Sequence, residues 1–307
     1  APPPPAPDGP AAAGGEEGEA PPAGSPEAAL RSVTTQPGWA TFPDPTAPWP
    51  VSARVTRQVG NTVDVTPLAG LTLAHPSLQP LPQGRVLVVG ARCRWRADGP
   101  ERNAVVYGSD GRVDAQATLG DGIEHVFTTT SGQVWVGYFD EGVYGNYGWG
   151  EAVPPVGDSG LVRFSPQLQP AWRFPSHVDN QWGAISDCYA LNVTDEEVWT
   201  CYYTDFPIVR IRDGAVTGWR NQVEGAKALV VSGTRVGLFG GYRPHTDRFV
   251  VGELADQAMR VVDQYRLVLP DGAPLPAHPA VIGRAAVLHV LTADHWYRLP
   301  LDDIPAS

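Results

Sequence analysis

Apolar and polar residues alternate with a period of two along much of the chain, and short polar turns interrupt the alternation. The clearest example is the stretch 123–139, IEHVFTTTSGQVWVGYF, in which runs rich in β-branched and aromatic residues flank Ser131 and Gly132. A pattern of this kind predicts two antiparallel strands joined by a tight turn.

This hairpin pattern occurs five times. The other copies lie at 75–91, 187–203 and 225–241, with a weaker last copy that begins near Pro276. Two further strand-like segments follow each of the first four hairpins and one follows the last, so the repeat spans about 50 residues. A β repeat of this length predicts an all-β chain that forms a single β-propeller, with five four-stranded blades and six as the alternative.

Composition divides the chain into four parts. Residues 1–29 consist almost entirely of Pro, Ala, Gly and Glu, which predicts a disordered tail. An extended surface segment is expected over 30–50, the propeller over 51–304 and a short tail over 305–307. Because the last repeat ends after its third strand, we expect Ser52–Val59 to supply the missing outer strand and close the ring.

The charge excludes some partners. The formal net charge is −11 and the 22 basic residues are scattered, whereas nucleic-acid binding requires clustered Lys and Arg. No apolar run approaches the roughly 20 residues of a membrane-spanning helix. These features predict a monomer that binds neither nucleic acid nor a membrane through a span.

Three cysteines, Cys93, Cys188 and Cys201, cannot all pair within one chain, and their spacing fits no zinc motif. Buried free thiols in a reducing compartment are the favoured interpretation, which predicts a cytoplasmic protein. A disulfide between Cys188 and Cys201 in an exported protein is the alternative.

The loops of the repeats differ in length in a way that distinguishes two faces. Turns within the strand pairs are short and polar, whereas the links at the other face are long and rich in aromatic and charged residues. Long loops on a rigid scaffold usually carry the binding residues. We therefore expect a small ligand or a partner protein to bind the loop-rich face. The candidate binding residues are Asp140, Tyr144, Trp149, Trp182, Tyr189, Tyr203, Asp205, Arg243, His245 and His278.

Alignment of the repeats on their first turn predicts a polar ring at the entrance of the innermost strands. It sets His125 opposite Tyr189, Lys227 and His278. One interpretation is that a hydrated channel mouth tolerates polar residues. The other is an acid–base site whose catalytic candidates are Glu124, His125, Asp187 and Lys227.

Two sets of motifs carry a resemblance to known proteins. The G-x-V-W-V motif at Gly132–Val136 and the strand Leu161–Phe164 resemble those of bacterial propellers of the broad lactonase-like group, whose repeat is WD40-like. The segments GYFDEGVYGNYGWG and DCYALNV resemble uncharacterised actinobacterial propellers. The lactonase-like resemblance implies a divalent metal such as calcium, for which Glu124 and Asp187 match two ligand positions.

Two functions remain open from the sequence. The favoured one is a binding module without catalysis, because no nucleophile elbow, phosphate loop or dinucleotide fingerprint is present. The alternative is an enzyme, a metal-assisted hydrolase or a lyase, that acts at the channel mouth.

Overall fold

The structure is a computed structural model that describes residue 22 and the ranges 24–35, 41–151, 153–176, 181–276 and 279–305. Most of the tail predicted to be disordered, and the candidate residue His278, lie outside the described residues. Within those ranges no helix is long and apolar enough to cross a membrane.

Five antiparallel sheets in a ring form a single five-bladed propeller, which confirms the predicted fold class. The elements before the blades are α1 (Pro26–Leu30), β1 (Val33–Thr34), β2 (Phe42–Pro43), β3 (Thr46–Val59) and β4 (Thr62–Leu73). Blade 1 contains β5 (Pro76–Pro80), a 3₁₀ turn (Pro82–Gly84), β6 (Val86–Gly90), the small hairpin β7 (Trp95–Arg96) and β8 (Gly99–Pro100), β9 (Ala104–Tyr107) and β10 (Val113–Ala117).

The remaining blades follow in chain order. Blade 2 contains β11 (Ile123–Thr128), β12 (Val134–Tyr138), helix α2 (Asp140–Tyr144), β13 (Leu161–Phe164) and β14 (Pro170–Arg173). Blade 3 contains β15 (Asp187–Val193), β16 (Val198–Tyr203), β17 (Ile208–Arg212) and β18 (Ala215–Trp219). Blade 4 contains β19 (Ala226–Ser232), β20 (Arg235–Gly240), β21 (Arg248–Ala255) and β22 (Ala258–Arg266). Blade 5 contains β23 (Ala280–Arg284), β24 (Val287–Leu291), β25 (Trp296–Pro300) and a 3₁₀ turn (Leu301–Asp303).

Hydrophobic clusters join each blade to the next. Separate clusters lie between blades 1 and 2, 2 and 3, 3 and 4, and 4 and 5. The middle strands of a blade are apolar on both faces, and β12 is buried along its whole length. Because both faces of such a strand must be covered, burial of apolar area favours stacking the sheets side by side.

The predicted tail boundary is wrong at residues 26–29. These residues belong to helix α1, in which the Ser25 hydroxyl accepts a hydrogen bond from the backbone N–H of Ala28 at 3.1 Å. Such an N-cap satisfies an otherwise unpaired donor of the first turn. Ala29 is buried and packs with Ala47 and Val51. A residue composition typical of disorder therefore does not prevent this short segment from docking.

The expectation that Ser52–Val59 completes blade 5 is also wrong. This segment belongs to β3, which pairs with β4 in a separate two-stranded sheet. The described part of blade 5 has three strands. Leu68, Leu71 and Leu73 of β4 pack against blade 1 in a fifth cluster that contains no residue of blade 5. The β3–β4 hairpin covers the face of blade 1 that blade 2 leaves open.

The hairpin extends beyond the blade that it covers. Leu73 lies beside Gly90 at the loop-rich end of blade 1, and Pro67 touches the turn at Gly111 at the opposite end. Residues 62–66 continue past that turn, and at about 3.4 Å per residue they project by about 17 Å. Val63 and Val65 in this part are each 55% exposed.

Among the described residues, none covers the far face of blade 5. Ile282, Leu291 and Trp296 on this face are 38%, 39% and 62% exposed. At the centre of the ring, an Arg284 Nη2–H donates to the carbonyl oxygen of Thr128 in blade 2 at 2.6 Å. The Asn192 amide donates to the carbonyl oxygens of Leu229 and Ala285 at 2.9 and 2.8 Å. Polar side chains thus connect inner strands that the apolar clusters do not join.

All three cysteines are buried and free. The prediction of buried free thiols is confirmed, and the disulfide alternative for Cys188 and Cys201 is wrong. Burial raises the pKa of both thiols to about 12, so they are protonated at neutral pH.

We expect the base of the β3–β4 hairpin, and not its projecting end, to contribute to stability. Leu71→Ala removes a side chain that is 3% exposed and should lower the free energy of unfolding by about 2–4 kcal/mol, because it leaves a cavity against blade 1. Val63→Ala, the matched control in the projecting end, should change it by no more than about 0.5 kcal/mol. Urea unfolding monitored by tryptophan fluorescence measures both. Equal effects of the two substitutions would contradict the proposed packing.

Candidate functional site at the mouth of blades 2 to 4

Three consecutive inner strands carry a β-bulge at the loop-rich end. In each case the inner strand has one unpaired extra residue between two consecutive pairs with its neighbour. The extra residues are Glu124 in β11, Tyr189 in β15 and Lys227 in β19. A bulge re-aims the extra side chain relative to its strand, and bulges are frequent next to functional sites. β5 and β23, the inner strands of blades 1 and 5, pair regularly.

The bulges shift the predicted alignment by one residue. Sequence alignment sets His125 opposite Tyr189 and Lys227, whereas the strand registers set Glu124 there. The sequence alignment matches the turns of the repeats, whereas the structural comparison matches the strand pairs. The turn of blade 2, between the paired residues Thr128 and Val134, is one residue longer than the turn of blade 3, between Val193 and Val198. Three side chains of different chemistry therefore occupy equivalent positions on successive blades.

His125 lies beside this trio and links two blades. Its Nε2 atom is 3.1 Å from the carbonyl oxygen of Tyr189. A carbonyl oxygen only accepts, so Nε2 carries the proton. Burial lowers the pKa of His125, Glu124 opposes this effect and Lys227 adds to it. The imidazole is therefore neutral at neutral pH.

Asp187 begins the inner strand of blade 3, directly opposite Tyr203. Burial raises the pKa of its carboxyl to about 6. Lys227 opposes the increase, while Glu124 and Asp140 add to it. Asp187 is thus a carboxyl group that gains a proton close to physiological pH, at the same mouth as the bulge residues.

Four aromatic rings connect the mouth to the surface. The hydroxyl oxygens of Tyr189 and Tyr242 are 2.7 Å apart. The buried Phe206 ring lies edge-on to both, with ring centroids at 5.3 and 6.1 Å, and at 5.7 Å from Tyr203. The Lys227 ammonium lies 4.5 Å from the centre of the Tyr189 ring. Within the described chain, no carboxylate lies within 4 Å of this ammonium.

Beside these rings lies a surface depression of about 400 Å³. It is lined by Tyr203, Thr204, Asp205, Phe206, Asn221, Gln222, Glu224 and Tyr242. Its two charged side chains are both carboxylates, and the rings of Tyr203 and Tyr242 are 44% and 41% exposed. The depression and the mouth share Tyr203 and Tyr242, so they form one continuous surface.

The long loop after β12 is held to blade 1 by a buried ion pair. The Arg92 guanidinium donates to both carboxylate oxygens of Asp121, at 3.1 and 2.9 Å, and lies 2.5 Å from Glu141 in α2. Its charge also faces the Tyr147 ring, 4.6 Å from the centroid. These contacts fix the start of the loop and with it the position of Asp140.

Other predicted binding residues occupy different environments. Trp149 is 5% exposed, and its indole N–H donates to the Cys93 carbonyl at 2.8 Å, so this side chain anchors the loop. Trp182 packs against Gly218 on the outer strand of blade 3. Tyr144 is 67% exposed, with its hydroxyl 2.7 Å from that of Ser186. We therefore leave Trp149 and Trp182 out of the proposed site.

The structure divides the remaining candidates between two places. Asp205 lines the aromatic depression, whereas Arg243 and His245 are exposed on the link between β20 and β21. His245 lines a separate cleft on blade 4. The residues that sequence reasoning passed over are Asn221, Gln222 and Glu224, which come from a short link between blades 3 and 4. They become candidates because they line the same depression as Tyr242.

A metal set of the lactonase type is not apparent. Among the described residues, no three side chains of His, Cys, Asp and Glu are grouped so that they could hold a metal ion. Glu124 and Asp187 therefore have no third ligand of these types where the chain is described.

Comparisons of the sequence with known proteins match only part of the chain. A model of the YxzG family matches residues 176–235, which is about a fifth of the chain and includes all four strands of blade 3. No curated protein matches the chain.

Solved structures with a similar fold are propellers from several bacteria and other sources. A functionally unknown protein from Desulfotomaculum acetoxidans DSM 771 is 11% identical, with 81% of this chain and 78% of that chain covered and a TM-score of 0.48. A gluconolactonase from Xanthomonas campestris, XC5397, is 13% identical over 78% and 75% of the two chains, with a TM-score of 0.44. BamB from Moraxella catarrhalis is 11% identical over 81% and 70%, with a TM-score of 0.40. At these identities and TM-scores the similarity carries no argument about the function of this chain.

We expect Asp187 to reduce stability at neutral pH. Its folded-state pKa of about 6 lies above the ordinary value of 3.8, so the folded protein binds this proton more tightly than the unfolded chain. Its contribution to the free energy of unfolding therefore decreases as the pH rises from about 4 to 6. Without solvent screening, this pKa difference would correspond to about 3 kcal/mol of unfolding free energy. Because Asp187 is partly exposed, screening reduces the expected increase in the free energy of unfolding in Asp187→Asn to about 1 kcal/mol at pH 7.

Chemical denaturation of the wild type and Asp187→Asn at pH 4, 5, 6 and 7 measures this difference. The two proteins should have similar stability at pH 4 and diverge above it. Glu196→Gln, at an exposed turn on the opposite face, serves as the control and should run parallel to the wild type. A variant that is less stable than the wild type at pH 7 would show that the ionised carboxylate stabilises the fold.

Proposed function

We propose that this protein is a binding module that holds a positively charged group at the mouth of blades 2 to 4. The observation that carries the proposal is the set of three bulges, which present Glu124, Tyr189 and Lys227 at equivalent positions of adjacent blades. Bulges on three successive inner strands interrupt the regular strand pairing at the same place in each blade. Such features are retained where they aim side chains at a site.

The balance of charge favours a cationic ligand. Glu124 and Asp140 each raise the pKa of Asp187 electrostatically, and Lys227 lowers it. The adjoining depression adds Asp205 and Glu224. Carboxylates that surround a partly buried space attract an amine or a guanidinium group.

The aromatic rings supply a second kind of contact. Tyr203 and Tyr242 expose a large part of their rings within the same depression. A cation over the face of such a ring gains about 0.5–2 kcal/mol, depending on how well it is desolvated. The ring of Tyr189 already holds one cation, the Lys227 ammonium, at 4.5 Å. A small amine and a basic side chain of a partner protein share this chemistry.

The proposal predicts opposite changes in affinity when the positive and the negative charges of the mouth are removed. Removing its charge with Lys227→Met should strengthen the binding of arginine amide by about threefold to tenfold, because a like charge leaves the site. Glu124→Gln should weaken binding by a similar factor. Isothermal titration calorimetry at constant ionic strength measures both, with Glu196→Gln on the opposite face as the control.

A short Arg-containing peptide tested beside arginine amide separates the two sources of the cation. Binding of the peptide alone would assign the site to a partner protein, and binding of both would assign it to the charged group itself. If Lys227→Met weakened the binding of a cation, or if neither probe bound, the proposal would be wrong.

A second candidate function is acid–base catalysis at the same mouth. The observation that favours it is the pKa of Asp187, which burial raises to about 6, at the same mouth as a neutral His125. A carboxylic acid that titrates near neutral pH can donate a proton to a leaving group, and a neutral imidazole can accept one. The reaction would be a hydrolysis or a lyase elimination.

A panel of lactones and simple esters, assayed from pH 5 to 8, tests this candidate. We expect activity to fall by at least 100-fold in Asp187→Asn and its pH profile to lose the limb near pH 6. Unchanged turnover in Asp187→Asn would exclude the carboxyl as the acid, and loss of turnover in the Glu196→Gln control would point to a general defect.

A further inference from the structure

A cleft of about 550 Å³ lies on blade 4, where β21 begins and β22 ends. It is lined by Pro244, His245, Thr246, Asp247, Arg248, Gln264, Tyr265 and Arg266. It is separate from the mouth of blades 2 to 4, with which it shares no lining residue. Its lining is rich in hydrogen-bond donors.

Two arginines face each other across this end of the ladder. Arg248 and Arg266 are directly opposite partners in the β21–β22 pairing. Like charges at directly opposite positions of a sheet destabilise it. In a chain with a net charge of −11, such a pair is not explained by a general excess of basic residues.

The cleft contains one carboxylate for the two guanidinium groups. Asp247 accepts a hydrogen bond from Arg266 Nε. Arg248 donates from Nη2 to the backbone carbonyl of Glu224 at 3.2 Å. Its Nε atom is buried and has no hydrogen-bond partner in the described part of the chain. One positive charge therefore lacks an acidic partner.

The backbone beside Arg248 is shaped around its guanidinium. A Cβ atom added at Gly241 would lie 2.6 Å from Arg248 Nη2, so a side chain at this position would displace the group. The link that contains Gly241 also contributes His245 and Thr246 to the cleft. The guanidinium is thus held in place before any ligand arrives, which lowers the entropic cost of binding.

We propose that this cleft binds an oxyanion, a phosphate or carboxylate group carried by a larger molecule. The planar guanidinium groups of Arg248 and Arg266 match the oxygen atoms of such a group, and a hydroxyl and an amide, from Thr246 and Gln264, add neutral donors. The volume of the cleft exceeds that of a phosphate ion and lies in the range of small-molecule sites. Binding of the anion supplies the missing negative charge between the two arginines.

The mouth and the cleft therefore select opposite charges. Carboxylates dominate the mouth, whereas donors and two guanidinium groups dominate the cleft. A single ligand with an amine and an anionic group, or two separate ligands, would satisfy both. Because no lining residue is shared, each site can be tested without the other.

Titration of the full chain with inorganic phosphate at constant ionic strength tests the proposal. Calorimetry should detect saturable binding, and Arg266→Gln should weaken it by at least tenfold. Arg212→Gln removes an equal charge from an exposed position on blade 3 and should leave the affinity within twofold of the wild type. Arg248→Gln should abolish binding, and circular dichroism will show whether that variant is folded.

Acetate and ethyl phosphate, titrated in the same way, distinguish a carboxylate from a phosphate ester as the recognised group. Glu124→Gln at the mouth should not change the phosphate affinity. A negative result for the anionic ligand can therefore be distinguished from a negative result for the cationic site. Absence of saturable binding by all three probes would overturn the proposal. So would an equal loss of affinity in Arg212→Gln and Arg266→Gln, because that would indicate attraction by net charge alone.

Discussion

The middle strands of blades 1 to 4 carry apolar side chains on both faces, and much of the structure follows from the need to cover them. Strands such as β6 and β12 are buried along their whole length, so each of these four sheets needs a cover on both sides. Blades 2, 3 and 4 obtain both neighbours from the ring. Blade 1 obtains its second cover from the β3–β4 hairpin, through Leu68, Leu71 and Leu73. Blade 5 differs, because among the described residues it is covered on one face only, and Trp296 and Leu291 are exposed on the other.

The mouth shows how a rigid ring positions polar groups. The apolar contacts between blades 2, 3 and 4 hold the inner strands in place, and the bulges then re-aim single residues at their ends. Glu124, Tyr189 and Lys227 reach one site because three blades repeat the same local irregularity. Burial of Asp187 beside them has an energetic cost, since its ionised form is disfavoured. A group retained at a cost to stability is typical of a functional site.

The proposed cationic and anionic sites differ in how they are built. The mouth is formed by inner strands of three blades, and its side chains meet only because the ring closes around them. The blade 4 cleft is formed by one strand pair, in which Arg248 and Arg266 are opposite partners. Its geometry depends on local pairing and on the close approach of Gly241 to Arg248. The first site therefore depends on assembly of the ring, and the second on a single blade.

The sequence by itself determined the all-β class, the five repeats and the loop-rich face, because alternation and turn residues act over a few neighbours. It favoured free cysteines and left the disulfide open, and the structure decided between them. It also placed Glu124, Asp187 and Lys227 near one another. It misplaced Ser52–Val59, because pairing of β3 with the adjacent β4 closes a much shorter loop than pairing with blade 5, some 240 residues away. The bulges, the burial of Trp149 and the role of Glu224 were decided by tertiary structure alone. The bulges depend on strand pairing within each blade, and the other two features depend on contacts between blades. Neither leaves a periodic signal along the chain.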